Sequence, residues 1–517
     1  MKSSRTILAM LMLVLTREAA GADAGQMPEL TSAGQYGVRW KVIQDEAVDY
    51  YLPCERIEAA ATLSAADFDG IFPWSHVKLC NLRKAADKTP TVTYESEPGF
   101  AVDGTNGSVM AEIPKHYGKR YISDGYEYRL ISAQPRSGFT VDPAFVENGR
   151  EIEKVYVGVY EAHIRADGKM ESVSGAYPST DRTRIEFRTA ARANGPGYGI
   201  LDIRTLLMIQ NLFLVEHADR NSQRAIGNGW GKILQPARTH RCALAERRVN
   251  RLVTRRPSDK TAVDMMRGLF VGCAVQITSY DKQAKVYHTG RSLTRLVLDS
   301  PEPGLASFYF DGDPIDTTTD MCLGGAAQKT GWADRLTVHS GRGPYNGSPP
   351  YEDYRCAVRY RYMENLWGNA WCFIDGVNLF NGRAYFCQNM NAYESGVTAN
   401  PYQPTSITQL IQTDNGSVGG DREVHYLRNL GYDPDHPWLA LPQDYTNQGK
   451  SSAPGASESL RNGNFGDYYY LSAKATCYVH GGGFDHYWRC GLFTLRGWST
   501  ESHRWYLYGS RLMFKPM

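Results

Sequence analysis

The sequence has few of the features that would assign a chemistry to its 517 residues. Its 10 cysteines are scattered and include no Cys-x-x-Cys pair, so neither a zinc knuckle nor a thioredoxin-type redox site is indicated. It has no P-loop, no dinucleotide-binding fingerprint and no evident nucleophile–base pair. The net charge of only +2 argues against a general nucleic-acid-binding protein. We therefore expect no catalytic residues, no cofactor, no bound metal ion and no nucleic-acid partner.

A long apolar run is also missing. The run from Ile7 to Leu15 is too short to span a bilayer, so no membrane span is expected. Basic residues before this run and small residues after it are typical of a secretory signal, which Arg17 and Glu18 fit poorly. Residues 1–26 are therefore either a signal peptide or the product of a mis-called start codon, with Met27 as the alternative start.

The residues that are abundant indicate a folded protein rich in turns and aromatic side chains. Hydrophobic residues make up 42% of the chain and charged residues 22%, a balance that is compatible with a packed core. The 50 glycines and 25 prolines predict many turns and short strands. With 33 tyrosines and 10 tryptophans, the chain suits a protein that binds through exposed aromatic rings.

Local patterns in the first half predict strands and then two helices. Val109–Pro114 is a short apolar strand, and Asp124-Gly125 is a turn signal. Val155–Ala162 alternates as a half-buried strand would. Helices are predicted at Arg184–Ala193 and at Ile203–His217, the second capped by the aspartate that precedes it.

Three features that invite a functional reading are interpreted as structural. We interpret Glu216 and His217 as a helix end whose histidine suits the helix dipole, not as catalytic or metal-binding residues. The basic run Arg238–Arg256 is interpreted as a solvated connector. The aspartates within Asp311–Asp320 lack the glycine and closing glutamate of an EF-hand, so polar turns are predicted within an all-β insertion at residues 261–342.

A tryptophan-rich stretch at residues 363–378 predicts a return to the main core. Trp367 and Trp371 would bury large area there, while the Asn and Asp residues around them can satisfy irregular backbone. We therefore interpret this stretch as structural.

The last stretch, Thr476–Phe514, has the composition of a binding surface. Its two irregular runs, Asp485–Arg489 and Trp498–Tyr506, mix Trp, Tyr, Arg and His, the residues that dominate interface hot spots. Glycines separate and flank these runs. An aromatic cluster in a C-terminal strand pair is more often core. The charged residues between these rings would each need a buried partner in a core, which favours the surface interpretation.

The glycine frame also resembles a known family. Gly-Gly-x-Phe at residues 481–484, Gly-Leu-Phe-x-Leu at 491–495 and Gly-Ser-Arg-Leu-x-Phe at 509–514 resemble the variable region of proteins diversified by retroelements. In that family, template-directed mutagenesis rewrites surface residues and spares the glycine and leucine frame. By this resemblance the candidate ligand-binding positions are Asp485, His486, Tyr487, Trp488, Arg489, Cys490, Thr494, Arg496, Trp498, Ser499, Thr500, Glu501, Ser502, His503, Arg504, Trp505 and Tyr506.

The resemblance implies a fold and a division of the chain. The fold is α+β, with a C-type-lectin-type core like that of the formylglycine-generating enzyme, many short strands and few helices. The stretch at 363–378 resembles the Asn- and Trp-containing piece of that fold. The implied parts are an N-terminal β-rich region at 27–150, core at 151–260, the insertion at 261–342, and core again at 343–517 with a variable region at 476–514.

The resemblance also implies a function. The chain would be a non-enzymatic protein with a hypervariable C-terminal surface, an adhesin at a phage tail tip that recognises a protein or glycan receptor on the host cell. A secreted or surface-displayed bacterial ligand-binding protein is the alternative. The expected location is therefore a virion, the cell surface or the medium. The family further suggests a homo-oligomer, with a trimer as one option.

Two other functions of this fold are less well matched. A formylglycine-generating-type oxidase holds copper through two cysteines that follow its Gly-Gly-Ser strand. His486 and Gly491 stand at those positions here, with Cys490 alone and Cys477 well upstream, so no two-sulfur copper site is expected. A calcium-dependent lectin carries a Trp-Asn-Asp strand, which is absent. Residues 403–405, Gln-Pro-Thr, match its carbonyl-rich loop only in part.

Overall fold

The computed structural model describes residues 34–42, 54–84, 90–231, 240–266, 268–280, 285–343, 356–412, 424–448, 465–486 and 489–516. The expected signal segment at residues 1–26 lies outside these ranges. Within them the chain forms many short strands and few helices, which confirms a β-rich α+β fold. None of the described helices has the length and apolar composition that a membrane crossing requires.

The described residues up to Ile200 form fourteen strands. They are Gln35–Lys41 (β1), Glu55–Glu58 (β2), Lys78–Lys84 (β3), Pro90–Tyr94 (β4), Ser108–Pro114 (β5), Tyr117–Ser123 (β6), Tyr126–Ser132 (β7), Thr140–Val141 (β8), Val146–Glu147 (β9), Arg150–Glu151 (β10), Lys154–Gly158 (β11), His163–Ile164 (β12), Met170–Glu171 (β13) and Tyr198–Ile200 (β14).

The remaining described strands follow Ile200 in the chain. They are His240–Arg241 (β15), Arg251–Arg255 (β16), Ala274–Ser279 (β17), Val286–Leu298 (β18), Leu305–Phe310 (β19), Met321–Gly325 (β20), Gly341–Arg342 (β21), Val358–Tyr360 (β22), Met363–Glu364 (β23), Trp371–Phe373 (β24), Val377–Phe380 (β25), Arg383–Phe386 (β26), Gln403–Pro404 (β27), Val424–Leu430 (β28), Pro442–Gln448 (β29), Tyr470–Leu471 (β30), Cys477–Gly481 (β31), Gly491–Ser499 (β32), Tyr508–Gly509 (β33) and Leu512–Phe514 (β34).

The helices are short, with one exception. The α-helices are Arg184–Arg192 (α1), Ile203–His217 (α2), Ser222–Ala225 (α3) and Ala262–Met266 (α4), and 3-10 turns lie at Ala65–Gly70, Trp74–His76, Pro143–Phe145 and Met390–Ala392. Both predicted helices are confirmed by α1 and α2. Their ends agree to within one residue with the prediction.

The N-terminal strands form a five-stranded sheet of order β2-β1-β7-β6-β8. The predicted turn is confirmed, since Asp124 and Gly125 alone connect β6 to β7. Their φ angles of 53° and 76° are the positive values that a two-residue hairpin loop of type I′ needs. The predicted apolar strand at Val109–Pro114 is confirmed by β5.

A six-stranded sheet of order β14-β34-β11-β5-β3-β4 joins distant parts of the chain. Because strands from both sides of residue 150 pair in it, the expected boundary at that residue does not separate two cores. Strand β11 confirms the strand predicted at Val155–Ala162. Its expected half-burial is wrong, because Val155 to Gly158 are all buried, so both faces of the strand are covered.

Helix α2 runs through the main hydrophobic core. Its predicted cap is confirmed, since the Asp202 side chain accepts a hydrogen bond from Thr205 N at 2.8 Å. Every residue of α2 except Asn211 and His217 is buried, so the helix is enclosed on all sides and has no solvent face. Glu216, in its last turn, accepts a hydrogen bond from Tyr360 Oη at 2.8 Å.

The expectation that the charge of His217 complements the helix dipole is wrong. Burial lowers the pKa of His217 to about 4, so the ring is neutral at neutral pH. The positive charge beside the helix end comes from Arg361 instead, whose Nη2 lies 2.7 Å from Glu216 Oε1.

The predicted all-β insertion is a six-stranded sheet of order β15-β20-β17-β18-β19-β16. It begins at His240 and not at residue 261, because β15 and β16 pair with its later strands. The interpretation of Arg238–Arg256 as a solvated connector is therefore wrong in its C-terminal half, where Leu252 and Val253 are fully buried in β16.

The predicted structural role of the tryptophan-rich stretch is confirmed. Trp367 and Trp371 are 1% and 0% exposed. Asn369, with a positive φ of 61°, accepts a hydrogen bond from Gln328 N at 2.6 Å, which ties the stretch to the residues after β20. Asp375 receives both guanidinium N–H groups of a buried arginine in α1 at 2.7 Å.

Candidate functional site

The C-terminal residues form a five-stranded sheet of order β30-β32-β31-β24-β33. Strands β31 and β32 are an antiparallel hairpin, and β30 runs parallel to β32. Tyr470 and Val479 both lie opposite Arg496, and Val479 lies opposite Phe373, two residues from Trp371. Because residues directly opposite one another point to the same side of a sheet, these side chains share one face.

Two glycines of the predicted frame leave no room for a side chain. Gly481 has a φ of +89°, and a Cβ there would lie 2.7 Å from the carbonyl oxygen of Leu366. A Cβ at Gly491 would lie 1.7 Å from Oδ1 of the buried Asp467. Both ends of the loop between β31 and β32 are therefore fixed by close packing.

The two irregular runs lie at opposite ends of β32. The first run leads into Gly491, which is paired with Gly481. The second run begins at Trp498, and its next residue, Ser499, is paired with Cys477. Nine extended residues separate these ends by roughly 25 Å. The runs therefore do not form one loop cluster, and the sheet face between them joins them.

Arg496 occupies the centre of that face, surrounded by four aromatic rings. Its guanidinium carbon lies 5.1 Å from the ring centroid of Trp498, 5.5 Å from Trp371, 5.7 Å from Tyr470 and 5.9 Å from Tyr468. All four distances fall within the range of cation–π attraction. The arginine is half-buried, and its Nε and Nη1 atoms are buried with no hydrogen-bond partner.

A second arginine uses one of the same rings. The guanidinium carbon of Arg489 lies 5.4 Å from the centroid of Tyr468. Within the described ranges, neither Arg489 nor Arg496 makes a side-chain hydrogen bond or an ion pair. The two arginines thus give this end of the sheet face an excess of positive charge.

Rings of the second run extend the face. Trp505 packs edge to face on Tyr508 at 5.3 Å between centroids, and His503 lies 5.3 Å from the same ring. Burial lowers the pKa of His503, and the charge of Arg496 lowers it further. The imidazole is therefore neutral at neutral pH, and the positive charge of this area comes from arginine.

The polar residues of the second run anchor it. Exposed Arg504 forms an ion pair of 2.5 Å with Glu186 of α1. Thr500 and Ser502 are hydrogen-bonded through their hydroxyls at 3.2 Å, and the backbone N–H of Glu501 donates to Thr476 Oγ1 at 2.9 Å. These contacts hold the loop beside α1.

In the first run, three residues are placed and two are not described. His486 Nδ1 lies 2.6 Å from Asp485 Oδ1, and the His486 ring packs edge to face on Trp371 at 5.2 Å. Tyr487 and Trp488 lie outside the described residues.

Four of the candidate ligand-binding residues are buried, so the expectation that they lie on the surface is wrong. Cys490, Thr494 and Ser499 are 0% exposed, and Tyr506 is 3% exposed. The Cys490 thiol lies under the loop, 3.4 Å from the carbonyl oxygen of Gly483.

The other three are held by internal contacts. Thr494 Oγ1 donates to the Arg489 carbonyl at 3.2 Å, Ser499 donates to Tyr508 Oη at 2.5 Å, and Tyr506 packs on a buried phenylalanine. These four positions therefore support the surface and do not form part of it.

Two residues of the surface were not predicted from the sequence. Tyr468 and Tyr470 lie before the predicted stretch, yet their rings contact Arg496. The run of three tyrosines at 468–470 is a local signal of aromatic enrichment, but its pairing with β32 is long-range. We define the C-terminal surface by its half-exposed residues, which are Tyr468, Arg489, Arg496, Trp498, His503 and Trp505.

The described residues contain no group of three or more His, Cys, Asp or Glu that could hold a metal ion. Cys477 and Cys490 lie at opposite ends of the β31–β32 hairpin. Burial raises the pKa of both thiols, so neither is an activated thiolate.

Comparison of the chain with protein-family models and with curated proteins finds no match.

Proposed function

We propose that the chain is a non-enzymatic binding protein that recognises a receptor through its C-terminal surface. The observation that carries this proposal is half-exposed Arg496 with two half-exposed rings around it, Tyr468 and Trp498. Two further half-exposed rings, His503 and Trp505, extend the same face. Trp, Tyr and Arg are the residues in which interface binding energy concentrates. A charged, partly dehydrated side chain among rings costs free energy in the isolated protein, which a ligand can offset.

The proposal includes the finer assignment of the fold. The core is C-type-lectin-type, like that of the formylglycine-generating enzyme, and the C-terminal stretch is a variable region rewritten by a retroelement. Two features support this. The frame glycines have no room for side chains, and the frame residues Leu492, Phe493 and Leu495 are buried. Arg496 and Trp498 are on the opposite face of the strand from Leu495 and are half-exposed.

The setting that we propose is the tail tip of a phage, where the surface would bind a receptor on the host cell. A secreted or surface-displayed bacterial protein is the alternative setting for the same surface. A trimer is the oligomer that we propose, by resemblance to the family.

Truncation of the surface tryptophans tests the function. We expect Trp498→Ala and Trp505→Ala to change the free energy of unfolding by about 1 kcal/mol or less, because both rings are half-exposed. Each should weaken adhesion to cells that the wild-type protein binds by about 2 kcal/mol, or about 30-fold. Denaturant unfolding and a cell-binding titration measure the two effects.

Two further tryptophans serve as controls. Trp332 is also half-buried, but it packs against Trp230 beside the insertion, so Trp332→Ala should leave adhesion unchanged. Trp367→Ala should cost about 3–5 kcal/mol of stability because this ring is fully buried. If Trp498→Ala and Trp505→Ala unfold the protein as Trp367→Ala does, or adhere as well as wild type, this surface is not the binding site.

A further inference from the structure

Arg489 and Arg496 differ from the buried arginines elsewhere in the chain. Arg188, in α1, is paired with the carboxylate of Asp375, and Arg204 is paired with that of Glu147. Arg511 donates to four backbone carbonyl oxygens. Each of these three guanidinium groups therefore has oxygen acceptors inside the fold, although Nε of Arg204 has none. The two arginines of the C-terminal surface have rings beside them and no acceptor within the described ranges.

The rings satisfy only part of what a guanidinium requires. A ring face attracts the positive charge of Arg496 but offers no oxygen in the plane of its N–H groups. That planar fork matches a carboxylate, which accepts two parallel hydrogen bonds. Nη2 of Arg496 is not among its buried atoms, so the N–H groups of this one nitrogen can donate to a carboxylate that arrives from solvent.

Tyr468 lies beside both positive charges. Its ring centroid is 5.4 Å from the guanidinium carbon of Arg489 and 5.9 Å from that of Arg496. An anion bound beside this ring would be attracted by both charges. The acidic side chains on the same loops already have partners, because Asp485 lies against His486 and the Glu501 carboxylate accepts a hydrogen bond from the Thr476 hydroxyl.

The shape and composition of the surface favour a protein as the source of the anion. The surface is the face of a sheet with half-exposed Trp, Tyr and Arg side chains, as in the centres of protein–protein interfaces. We propose that the receptor is a protein that places an Asp or Glu carboxylate on Arg496, beside Arg489, with an apolar side chain against Trp498. This inference rests on the proposed function and specifies the chemistry of its ligand.

A peptide selection tests the inference. Full-length protein is used to select binders from a random 12-residue peptide library, a length that spans roughly the width of such a surface. Selected peptides should be enriched in Asp or Glu together with an aromatic or aliphatic residue. Replacing the acid of a selected peptide by its amide should weaken binding to the wild-type protein about 10- to 100-fold.

The same peptide pair is then measured on Arg496→Gln, which keeps a polar side chain of similar reach and removes the charge. Binding of the acidic peptide should fall by a similar factor, and the acid-to-amide change should have little further effect. Arg496→Lys, which keeps the charge and loses the planar fork, should recover only part of the affinity. Arg295→Gln is the matched control, because this exposed arginine stacks on Tyr309 of the insertion at 4.0 Å.

Several outcomes overturn the inference and leave the proposed function standing. They are enrichment of peptides without acids, equal loss from the acid-to-amide change on wild type and Arg496→Gln, or failure to select any peptide while adhesion still depends on Trp498. Tight binding of sulfated or sialylated glycans through Arg496 would assign a carbohydrate receptor instead. Thermal melting of each variant separates lost binding from lost folding.

Discussion

Asp467 fills the space in which a side chain at position 491 would lie. Its carboxyl group is buried and accepts a hydrogen bond from the backbone N–H of Phe493. Burial raises the pKa of Asp467 well above its usual range, so the site is also unfavourable for a charge. The start of β32 is therefore held by one glycine and one buried acid.

We expect Gly491→Ala to destabilise the protein by about 1–3 kcal/mol or more. The new Cβ would lie 1.7 Å from Asp467 Oδ1, so the acid or the strand must move. Denaturant unfolding measures the cost. Gly118→Ala in β6 is the control, because the nearest heavy atom to its Cβ would be 3.8 Å away. Equal stability of the two variants would contradict this account of the glycine frame.

At the scale of the element, β32 has two faces with different constraints. Leu495 is buried in the main core, and a Cβ at Gly497 would lie 2.4 Å from Leu471 Cδ1. Arg496 and Trp498 alternate with them and are half-exposed. Because side chains alternate between the two faces of a strand, we expect substitutions to be accepted at Arg496 and Trp498 and rejected at the residues between them.

Sequencing of this locus across a population should reproduce that alternation. Substitutions should concentrate at Arg496, Trp498 and the half-exposed loop residues, and Leu495 and Gly497 should remain constant. Thr494 provides an internal control, because it lies on the variable side of the strand but is fully buried, so it should vary less than Arg496. An even distribution of substitutions over β32 would exclude a retroelement-rewritten surface.

Much of this element could be predicted from the sequence, and the rest depends on distant residues. The glycine positions predicted where the strand begins, and the capping aspartate and the spacing of apolar residues predicted α2, because these signals are local. The parallel pairing that places Tyr470 beside Arg496 has no local signal. Burial of Cys490 and Tyr506 likewise depends on elements far along the chain, and all-round burial of α2 does too.

At the scale of the whole molecule, buried titratable groups change stability with pH in opposite directions. Burial lowers the pKa of His116, His217 and His480 to about 4. It raises the pKa of Glu161 to about 7 and that of Glu364 to about 8. Acidification therefore weakens the fold through the histidines and strengthens it through the glutamates.

A single variant separates the two trends. The pKa of an unfolded histidine is about 6.5, so the stability that neutral His480 contributes is present above that pH and is lost as the pH falls toward about 4. We expect the stability difference between wild type and His480→Gln to shrink by about 1–3 kcal/mol between about pH 7 and about pH 4.5. Urea unfolding at the two pH values measures it. The difference for Val479→Ala, a neighbour without a titrating group, should stay constant, and the same constancy for His480→Gln would contradict the prediction.

Strand β34 follows every other strand in the chain and yet lies inside a sheet, between β11 and β14. Those two strands keep unpaired backbone groups until Leu512–Phe514 has left the ribosome. A shift of reading frame anywhere between Gly491 and Leu512 would erase β34 and leave both edges open. A frameshift in the gene segment that encodes the C-terminal surface would therefore remove a strand that the six-stranded sheet contains, whereas a substitution at a half-exposed position leaves β34 in place.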